Sequence, residues 1–363
     1  MSQPEAVFVS YRLGGNDGVG VEATKWDWAL RELGFTTRRV AGELDGTARP
    51  DDTWLAFLAI EPVPGAHVAP GALGAAIAGA DLVVVENLCS LPLNLEAATV
   101  ARDVLDAHRG RVMFHHHDFA WERPHLAHLG GFPPHRPASL HVTISAHARA
   151  ALRDRGIVAR GIPNSFDFDA VAGDGPTTRR TMGFGDDDIV LLQPTRAIPR
   201  KNVGGGLRFA GEIADRLPDR SVRYWITGPA EDGYDAEFAR LLATAPVPVT
   251  VGRAPRAVDA YAAADLVVFP STWEGFGNPV IESVAARQMV ATGSYPVLEE
   301  ITAGLDLRSI DRADDAVEWL ATPETDRAAR LDANYRAARD RFAIEHLPDR
   351  IHVAFTAVGW TDW

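Results

Sequence analysis

The chain has 363 residues, 46% of them hydrophobic and 23% charged, and a formal net charge of −13. This length is generous for a single core and suits two α/β domains, while the acidic balance excludes the basic face that nucleic-acid binding requires. No apolar run approaches the ~20 residues of a membrane span, and the single cysteine, Cys89, excludes an internal disulfide. We therefore expect a cytoplasmic protein without an integral membrane segment.

The first half of the chain alternates strand and helix patterns. Residues 6–10 form a short apolar run typical of a buried strand, followed by a glycine-rich loop and a helix over 21–33. Further strands are predicted at 54–60, 81–85, 111–115 and 141–144. Alternation of this kind builds a doubly wound parallel sheet.

A second α/β series follows 166–185, a stretch rich in Asp, Gly and Thr that indicates an interdomain linker. Strands are predicted at 188–193, 223–227, 247–251, 265–269 and 290–292, and helices at 203–217, 236–243, 256–263 and 279–286. The tail from 316 is helical by pattern. We expect two Rossmann-like domains, 1–167 and 168–345, facing each other across a cleft, with 346–363 forming a helix that packs back on the first domain.

The loop from Gly14 to Gly20 ends the first strand. It lacks the G-x-G-x-x-G dinucleotide fingerprint, because Ala23 occupies the place of the third glycine counted from Gly18. It also lacks the Lys-Ser/Thr ending of a P-loop. Two interpretations stay open, a plain tight turn and a turn whose backbone approaches a ligand closely.

Three consecutive histidines, His115, His116 and His117, end a predicted strand, and Asp118 and Trp121 follow them. Neighbouring residues on a strand point to opposite faces, so only His115 and His117 are able to converge. The spacing is unlike that of histidine-rich zinc sites, and we expect no metal. A structural histidine, or a hydrogen-bonding or proton-handling histidine at the mouth of the cleft, is favoured.

Cations cluster in the loop after the first strand of the second half, at Arg196, Arg200 and Lys201. A diphosphate needs such neutralisation, and arginine offers a bidentate fork, although basic loops are also common on surfaces. Gly228-Pro229 ends the next strand, as a close-approach turn or as an ordinary one.

Glu274 and Glu282 flank a glycine-spaced turn and the start of a helix, with Asn278 as the expected N-cap and Pro279 at the first helical position. The free N–H groups of a helix N-terminus suit a phosphate. Two carboxylates beside an anion site indicate contact with hydroxyl groups, because hydroxyls donate to carboxylates while phosphates repel them.

Together these motifs resemble the family 4 glycosyltransferases, retaining enzymes of the GT-B fold. Glu274 to Glu282 is similar to that family's E-x7-E motif, and Arg196 and Lys201 are similar to its R-x-x-x-x-K pair. The double glycine at Gly14 and the glycine–proline at 228–229 add to the match. The resemblance is strongest from about 191 to 301. Residues 283–289 depart from it, because they lack the glycine and proline that usually follow the second glutamate.

The resemblance implies roles for individual residues. Glu274 would bind hydroxyls of the donor sugar and Glu282 the nucleotide ribose, while Arg196 and Lys201 would hold the diphosphate and stabilise its developing charge. His117 would contact the sugar near its reacting carbon. The donor-binding set is completed by Gly14, Gly15, Gly228, Gly275, Phe276, Gly277 and Asn278. The acceptor-side set is His116, Asp118 and Trp121.

The resemblance implies transfer of a sugar from a nucleotide-diphosphate sugar to a hydroxyl acceptor with retained configuration. The first domain would bind the acceptor and the second the donor, without a cofactor or metal. Same-face attack and double displacement both stay open, as do the donor, the acceptor and the oligomeric state. The alternatives are another GT-B enzyme, such as a sugar-nucleotide epimerase, and a non-catalytic nucleotide-sugar binding protein.

Overall fold

The chain divides into two α/β units. The computed structural model describes residues 3–15 and 17–362, so Asn16 of the predicted glycine-rich loop lies outside the described residues. The first unit contains the chain up to Ser165 and again from Ile344, and the second contains Phe166–Ala343. The chain thus changes unit two residues before each expected boundary, 167 and 345.

The first unit is built on a seven-stranded parallel sheet of order β3-β2-β1-β4-β5-β6-β7, so the strand order reverses between β1 and β4. Its strands are β1 (Glu5–Leu13), β2 (Thr36–Leu44), β3 (Thr53–Trp54), β4 (Leu82–Glu86), β5 (Arg111–His116), β6 (Leu140–Thr143) and β7 (Ala159–Gly161). Its helices are α1 (Gly18–Glu32), α2 (Pro70–Ile77), α3 (Leu95–Ala107) and α4 (Ala146–Arg153).

Both faces of this sheet are covered. Successive side chains of β1 point to opposite faces, and its apolar residues are buried on both. Phe8 points to one face, in a core cluster with Trp26 of α1. Val7 and Val9 point to the other face, in a cluster that includes residues of α2 and α3. Apolar residues therefore occur consecutively along β1, which is why the sequence predicts this strand.

Strand β2 was not predicted, and the predicted strand 54–60 is wrong beyond its first residue. Arg39 interrupts the apolar pattern of β2, but it is buried because Asp52 pairs with it, Nη2 to Oδ2, at 2.6 Å. After β3 the apolar run forms a 3-10 turn, Ala56–Leu58. A Cβ at Gly42 would lie 1.9 Å from the Ala59 backbone nitrogen, so the run packs closely over β2 instead of extending the sheet.

The second unit has a six-stranded parallel sheet of order β10-β9-β8-β11-β12-β13, which reverses between β8 and β11. Its strands are β8 (Ile189–Gln193), β9 (Val222–Ile226), β10 (Val249–Val251), β11 (Leu266–Phe269), β12 (Val290–Thr292) and β13 (Arg308–Ser309). Its helices are α5 (Gly175–Met182), α6 (Val203–Arg216), α7 (Asp235–Ala243), α8 (Ala257–Ala263), α9 (Asn278–Ala285), α10 (Leu298–Thr302), α11 (Ala313–Ala321) and α12 (Glu324–Phe342).

The expected linker over 166–185 is wrong for its second half, which contains helix α5. Asp174 caps the helix, accepting the Thr177 N–H at 3.0 Å, and Gly183 ends it at φ +76°. Asp, Thr and Gly act here as helix-end residues, although the same composition is typical of loops.

The tail is helical, as predicted. After α12 and a 3-10 turn, Ile344–His346, helix α13 (Leu347–Thr356) belongs to the first unit. Its residues Leu347, Ile351 and Phe355 join the core cluster that contains Trp26 of α1. Within the described part of the chain, no helix has both the length and the apolar composition to cross a membrane.

Candidate functional site

Some of the side chains singled out from the sequence form two clusters, Lys201 with Glu274 in the second unit and His115 with His117 in the first. Each cluster lies at the carboxyl ends of parallel strands, beside the point where the strand order reverses. Open α/β sheets bind ligands at that position.

In the second unit, the carboxylate of Glu274 is held between two cations. Lys201 Nζ donates to Oε1, and Arg200 Nη1 donates to Oε2 at 2.8 Å. Arg200 also donates to the carbonyl oxygen of Trp273 at 3.2 Å. The loops that follow β8 and β11 thus meet through an ion cluster in which Lys201 and Glu274 are buried and Arg200 is half-buried.

Backbone geometry fixes this meeting of the two loops. Asn202 adopts φ +50° and caps α6, accepting the Gly205 N–H at 3.1 Å, while its Nδ2 donates to the Pro270 carbonyl at 3.1 Å. The Thr272 N–H donates to the Arg200 carbonyl at 2.9 Å. The positions of the cations therefore depend on the loop that carries Glu274.

Glu274 is buried, with 8% of its surface exposed. Burial alone would raise the pKa of its carboxyl group, but the charges of Lys201 and Arg200 outweigh burial and hold the pKa below its usual range. The group is therefore a carboxylate at neutral pH. Its two oxygens offer about four acceptor sites, so each is able to accept a ligand hydroxyl while keeping its cation.

Gly228 brings the end of β9 against the loop that carries Arg196. A Cβ at Gly228 would lie 2.6 Å from the Arg196 Cα, 2.8 Å from its backbone nitrogen and 2.9 Å from the Thr195 carbonyl oxygen. The Gly228 N–H donates to that carbonyl at 3.0 Å. The Arg196 guanidinium is half exposed and pairs with Glu231 at 2.5 Å.

Helix α9 begins one residue earlier than expected, because its N-cap is Gly277 and not Asn278. Gly277 has φ +105°, a conformation that favours glycine, and a Cβ there would lie 2.3 Å from the Tyr295 hydroxyl. Asn278 becomes the first helical residue. The preceding Phe276 is buried and stacks against Phe166, with ring centroids 6.1 Å apart.

Glu282 lies in the second turn of α9, and Gly275 lies in the loop between Glu274 and Phe276. Tyr261, from α8, donates its hydroxyl to Glu282 Oε2 at 2.6 Å. This bond orients a half-buried carboxylate at the same end of the sheet as Glu274. The predicted binding segment 274–282 thus forms one continuous loop and helix start.

In the first unit, His115 and His117 converge on a glutamate that the sequence analysis did not select. Glu86, the last residue of β4, is fully buried. Its Oε2 lies 2.9 Å from His115 Nδ1 and 3.0 Å from His117 Nε2. The expectation that these two histidines share a face is confirmed.

The next loop is organised by Asn87, at φ +59°. Its Oδ1 accepts the backbone N–H groups of His117 and Asp118, both at 3.1 Å. Asp118 also pairs with Arg123, Oδ1 to Nη2, at 3.6 Å.

The other two residues of the acceptor-side set, His116 and Trp121, also have partners inside the fold. His116 points to the opposite face of β5, where its ring nitrogens lie 2.5 Å from Ser90 Oγ and 2.9 Å from His141 Nδ1. Because its ring is fully buried and both nitrogens are engaged, we leave His116 out of the proposed acceptor contacts. Trp121 stacks on Phe119, and the Arg155 guanidinium carbon lies 3.7 Å from the centroid of one of its rings.

The Glu86 cluster also has the composition of a metal site, since its three ligating atoms lie within 4.8 Å of one another. Both histidine nitrogens, however, approach the same carboxylate oxygen at hydrogen-bond distance. We therefore assign the cluster to hydrogen bonding and not to metal coordination. That the protein uses no metal stays a prediction.

Gly14 and Gly15 follow β1 in the first unit. Gly14 has φ +83°, and a Cβ there would lie 2.1 Å from the Asp45 carbonyl oxygen and 2.8 Å from Arg39 Nη1. At Gly15 the closest atoms are carboxylate oxygens of Asp45 and Asp17, at 3.1 and 3.3 Å. Close packing within the unit thus leaves little room for a side chain at either position, which is one reason for the double glycine.

The sequence assigned no role to four residues that organise these clusters. Arg200 is one of the three cations of the basic loop, and its adjacency to Lys201 was the available signal. Glu86, Asn87 and Tyr261 gave no signal, because each acts on a partner at least 21 residues away in the chain.

Comparison with known proteins shows which proteins this chain is similar to. The family model described as glycosyl transferases group 1 matches residues 190–322, which include Arg196, Lys201, Glu274 and Glu282. Mannosylglucosylglycerate synthase of Thermotoga maritima is 25% identical over 94% of this chain and 97% of its own length. D-inositol 3-phosphate glycosyltransferase of Rhodococcus erythropolis is 32% identical over 49% of this chain and 43% of its own.

A solved structure supports the fold. The crystal structure of Anabaena HepE in complex with UDP and glucose has a TM-score of 0.72 to this chain, with 16% identity, and covers 98% of this chain and 100% of its own. The GT-B fold that the sequence motifs implied is confirmed. The chain is therefore a glycosyltransferase of the GT-B fold, and its residues 190–322 are similar to the group 1 glycosyl transferases.

Proposed function

We propose that the protein transfers a sugar, with retained anomeric configuration, from a nucleoside-diphosphate sugar to a small polyhydroxy acceptor that carries an anionic group. The observation that carries the proposal is the ion cluster of Lys201, Arg200 and Glu274 beside the reversal of strand order in the second unit. It combines cations for a diphosphate with a carboxylate for hydroxyl groups.

The cations supply the main electrostatic assistance in this mechanism. The bond from the anomeric carbon to the diphosphate oxygen breaks, and negative charge grows on the departing diphosphate. Lys201 and Arg196 stabilise that charge, while Glu274 holds sugar hydroxyls and Glu282 the ribose. The acceptor oxygen bonds to the anomeric carbon on the face that the diphosphate leaves, and its proton passes to the departing phosphate oxygen.

The first unit supplies the remaining contacts of the proposal. His117 contacts the donor sugar, and Asp118 and Trp121 belong to the acceptor side. The names of the two relatives point to acceptors with a shared chemistry, since a sugar joined glycosidically to a hydroxyl of glycerate keeps the glycerate carboxylate and inositol 3-phosphate carries a phosphate. The Arg155 guanidinium on the Trp121 ring is a cation suited to such a group.

The donor test measures the melting temperature of the whole protein with each of a panel of UDP-, GDP-, ADP- and TDP-sugars. A donor at about 100 times its dissociation constant adds roughly 2.7 kcal/mol of stability. The complex of HepE with UDP and glucose makes UDP-glucose the first donor to try.

The acceptor test pairs anionic compounds with neutral counterparts, namely glucosylglycerate with glucosylglycerol and inositol 3-phosphate with inositol. Nucleotide release and the anomeric coupling of the product are measured. We expect at least tenfold higher kcat/KM for the anionic member and a retained anomer. An inverted product would overturn retention, and equal rates would overturn the anionic acceptor. Donor binding without turnover, or sugar interconversion without acceptor, would overturn transfer itself.

Residue roles are tested with a matched pair of arginines. Arg196→Ala removes a cation at the carboxyl end of the second sheet. Arg220→Ala removes an exposed cation just before β9, at the opposite end. We expect loss of transfer only for Arg196→Ala, with both variants folded. Equal activity of the two variants would remove Arg196 from the proposed mechanism.

A further inference from the structure

The histidine pair on Glu86 lies among several other charged groups. Glu22, on α1, is fully buried, and its Oε1 accepts from Lys25. Glu22 interacts electrostatically with His115 and His117, and so does Asp118 with His117. Asp118 is itself paired with Arg123.

With all three carboxylates ionised, these groups balance in charge when one histidine is protonated. The anions around His117 are the carboxylates of Glu22, Glu86 and Asp118, whereas the permanent cations are Lys25 and Arg123. One net negative charge remains. Since Glu22 and Glu86 are fully buried, leaving that charge uncompensated would be costly.

Hydrogen bonding decides which histidine carries the proton. His115 is fully buried, and its Nε2 has no hydrogen-bond partner among the described residues. As an imidazolium, His115 would therefore bury an N–H group without an acceptor. A neutral His115 that donates Nδ1–H to Glu86 buries no N–H group without an acceptor. The extra proton is then on His117, whose ring lies at the edge of the cluster with 6% of its side chain exposed.

We infer that Glu86 is a positioning residue whose buried carboxylate holds His117 as an imidazolium, with Nε2–H on Glu86 and Nδ1–H available to an oxygen of the bound nucleotide sugar. An imidazolium has no acceptor nitrogen, so His117 selects ligand oxygens that accept hydrogen bonds. The link to the nucleotide sugar rests on the proposed function, whereas the protonation state of His117 does not.

The pKa shifts agree with this assignment. Burial would raise the pKa of Glu86, but the charges and hydrogen bonds of His115 and His117 lower it to about 2. Burial would lower the pKa of His117, yet its bond to Glu86 raises it above the usual histidine value. For His115, burial dominates, and the pKa is lowered.

The direct test is nitrogen-15 NMR of the histidine rings in the full-length protein between pH 6 and 9, with His117→Gln to assign the signals. We expect both ring nitrogens of His117 to show imidazolium shifts at pH 7.5 in the wild type. In Glu86→Gln, which keeps the shape and removes the charge, they should show the neutral form. A neutral His117 in the wild type at pH 7.5 would overturn the inference even if Glu86→Gln did not fold.

The functional test is the pH profile of transfer. We expect kcat/KM of Glu86→Gln to fall roughly 10- to 100-fold at pH 8, with partial recovery at pH 6 as His117 regains its proton. Glu32→Gln, an exposed carboxylate at the end of α1, is the control and should follow the wild type. A pH-independent loss would assign Glu86 a purely structural role. Imidazolium shifts without any transfer activity would refute the proposed function and leave the inference standing.

Discussion

Gly228→Ala is expected to disturb the loop that we propose to bind the diphosphate, although it adds only a methyl group. The new Cβ would lie 2.6 Å from the Arg196 Cα, so the two loops must separate by about 0.8 Å to reach an ordinary contact of 3.4 Å. Backbone atoms surround the site, and side-chain rotation therefore cannot relieve the clash. The movement would weaken two hydrogen bonds, from Gly228 N–H to Thr195 O at 3.0 Å and from Ala197 N–H to Pro229 O at 2.8 Å.

The magnitude follows from these contacts. Overpacking costs about 1–3 kcal/mol, and each weakened hydrogen bond costs up to about 1 kcal/mol, so we expect a loss of roughly 2–4 kcal/mol. For a unit of this size, 1 kcal/mol shifts the melting temperature by about 2–4 °C, which gives a fall of roughly 5–15 °C.

Two assays check this prediction. Calorimetric unfolding should show the lower melting temperature, and titration calorimetry should show weaker nucleotide-sugar binding, because Arg196 moves with its loop. The matched control is Gly185→Ala, whose Cβ would meet nothing closer than 3.5 Å. If Gly228→Ala melted within 1 °C of Gly185→Ala and bound the donor equally well, the close-approach reasoning would be refuted.

Three further predictions concern the loops that follow β8 and β11. Lys201→Met keeps the apolar stem and leaves Arg200 paired with Glu274, so we expect a folded protein. Its kcat should fall about 10²- to 10³-fold, because a cation beside the leaving diphosphate is lost. An unchanged kcat in steady-state assays would exclude Lys201 from charge stabilisation. Gly277→Ala combines strain at φ +105° with a clash against Tyr295, so Tyr295→Phe in the same chain should restore part of the lost melting temperature, and no recovery would contradict the clash. Because the pKa of Glu274 is lowered in the folded state, its stabilisation is complete above about pH 4.5 and is lost as the pH falls through the folded value. In urea unfolding, the difference in free energy of unfolding between Glu274→Gln and the wild type should therefore shrink as the pH falls from about 6 to about 3.5. A constant difference would contradict this.

Much of the fold is predictable because its signals are local. The strand at 290–292 and the start of helix α6 at Val203 are predicted at the positions where the structure has them. Fully buried parallel strands are continuous apolar runs, and helix ends carry capping residues. A short stretch of sequence is therefore enough to predict each element. Strand β2 was missed because Arg39 and Asp52, 13 residues apart, neutralise each other only in the folded unit.

The candidate site was predicted unevenly for a similar reason. Glu274 and Glu282 belong to one motif whose spacing is visible along the chain. Glu86, in contrast, ends an apolar strand and looks along the chain like any surface carboxylate, and the His115–His117 pair begins 29 residues further on. Only the pairing of β4 with β5, which aligns Glu86 with His115, places the carboxylate between the two histidines.

The sequence by itself determined the α/β class, the glycosyltransferase resemblance and the residue types that a diphosphate and a sugar require. Each of these depends on patterns within about a dozen residues. The tertiary structure decided that Arg200 shares Glu274 with Lys201 and that Glu86 joins His115 to His117. Strand order and register bring such groups together from distant parts of the chain, and in a buried environment their charges then fix which protons the site holds.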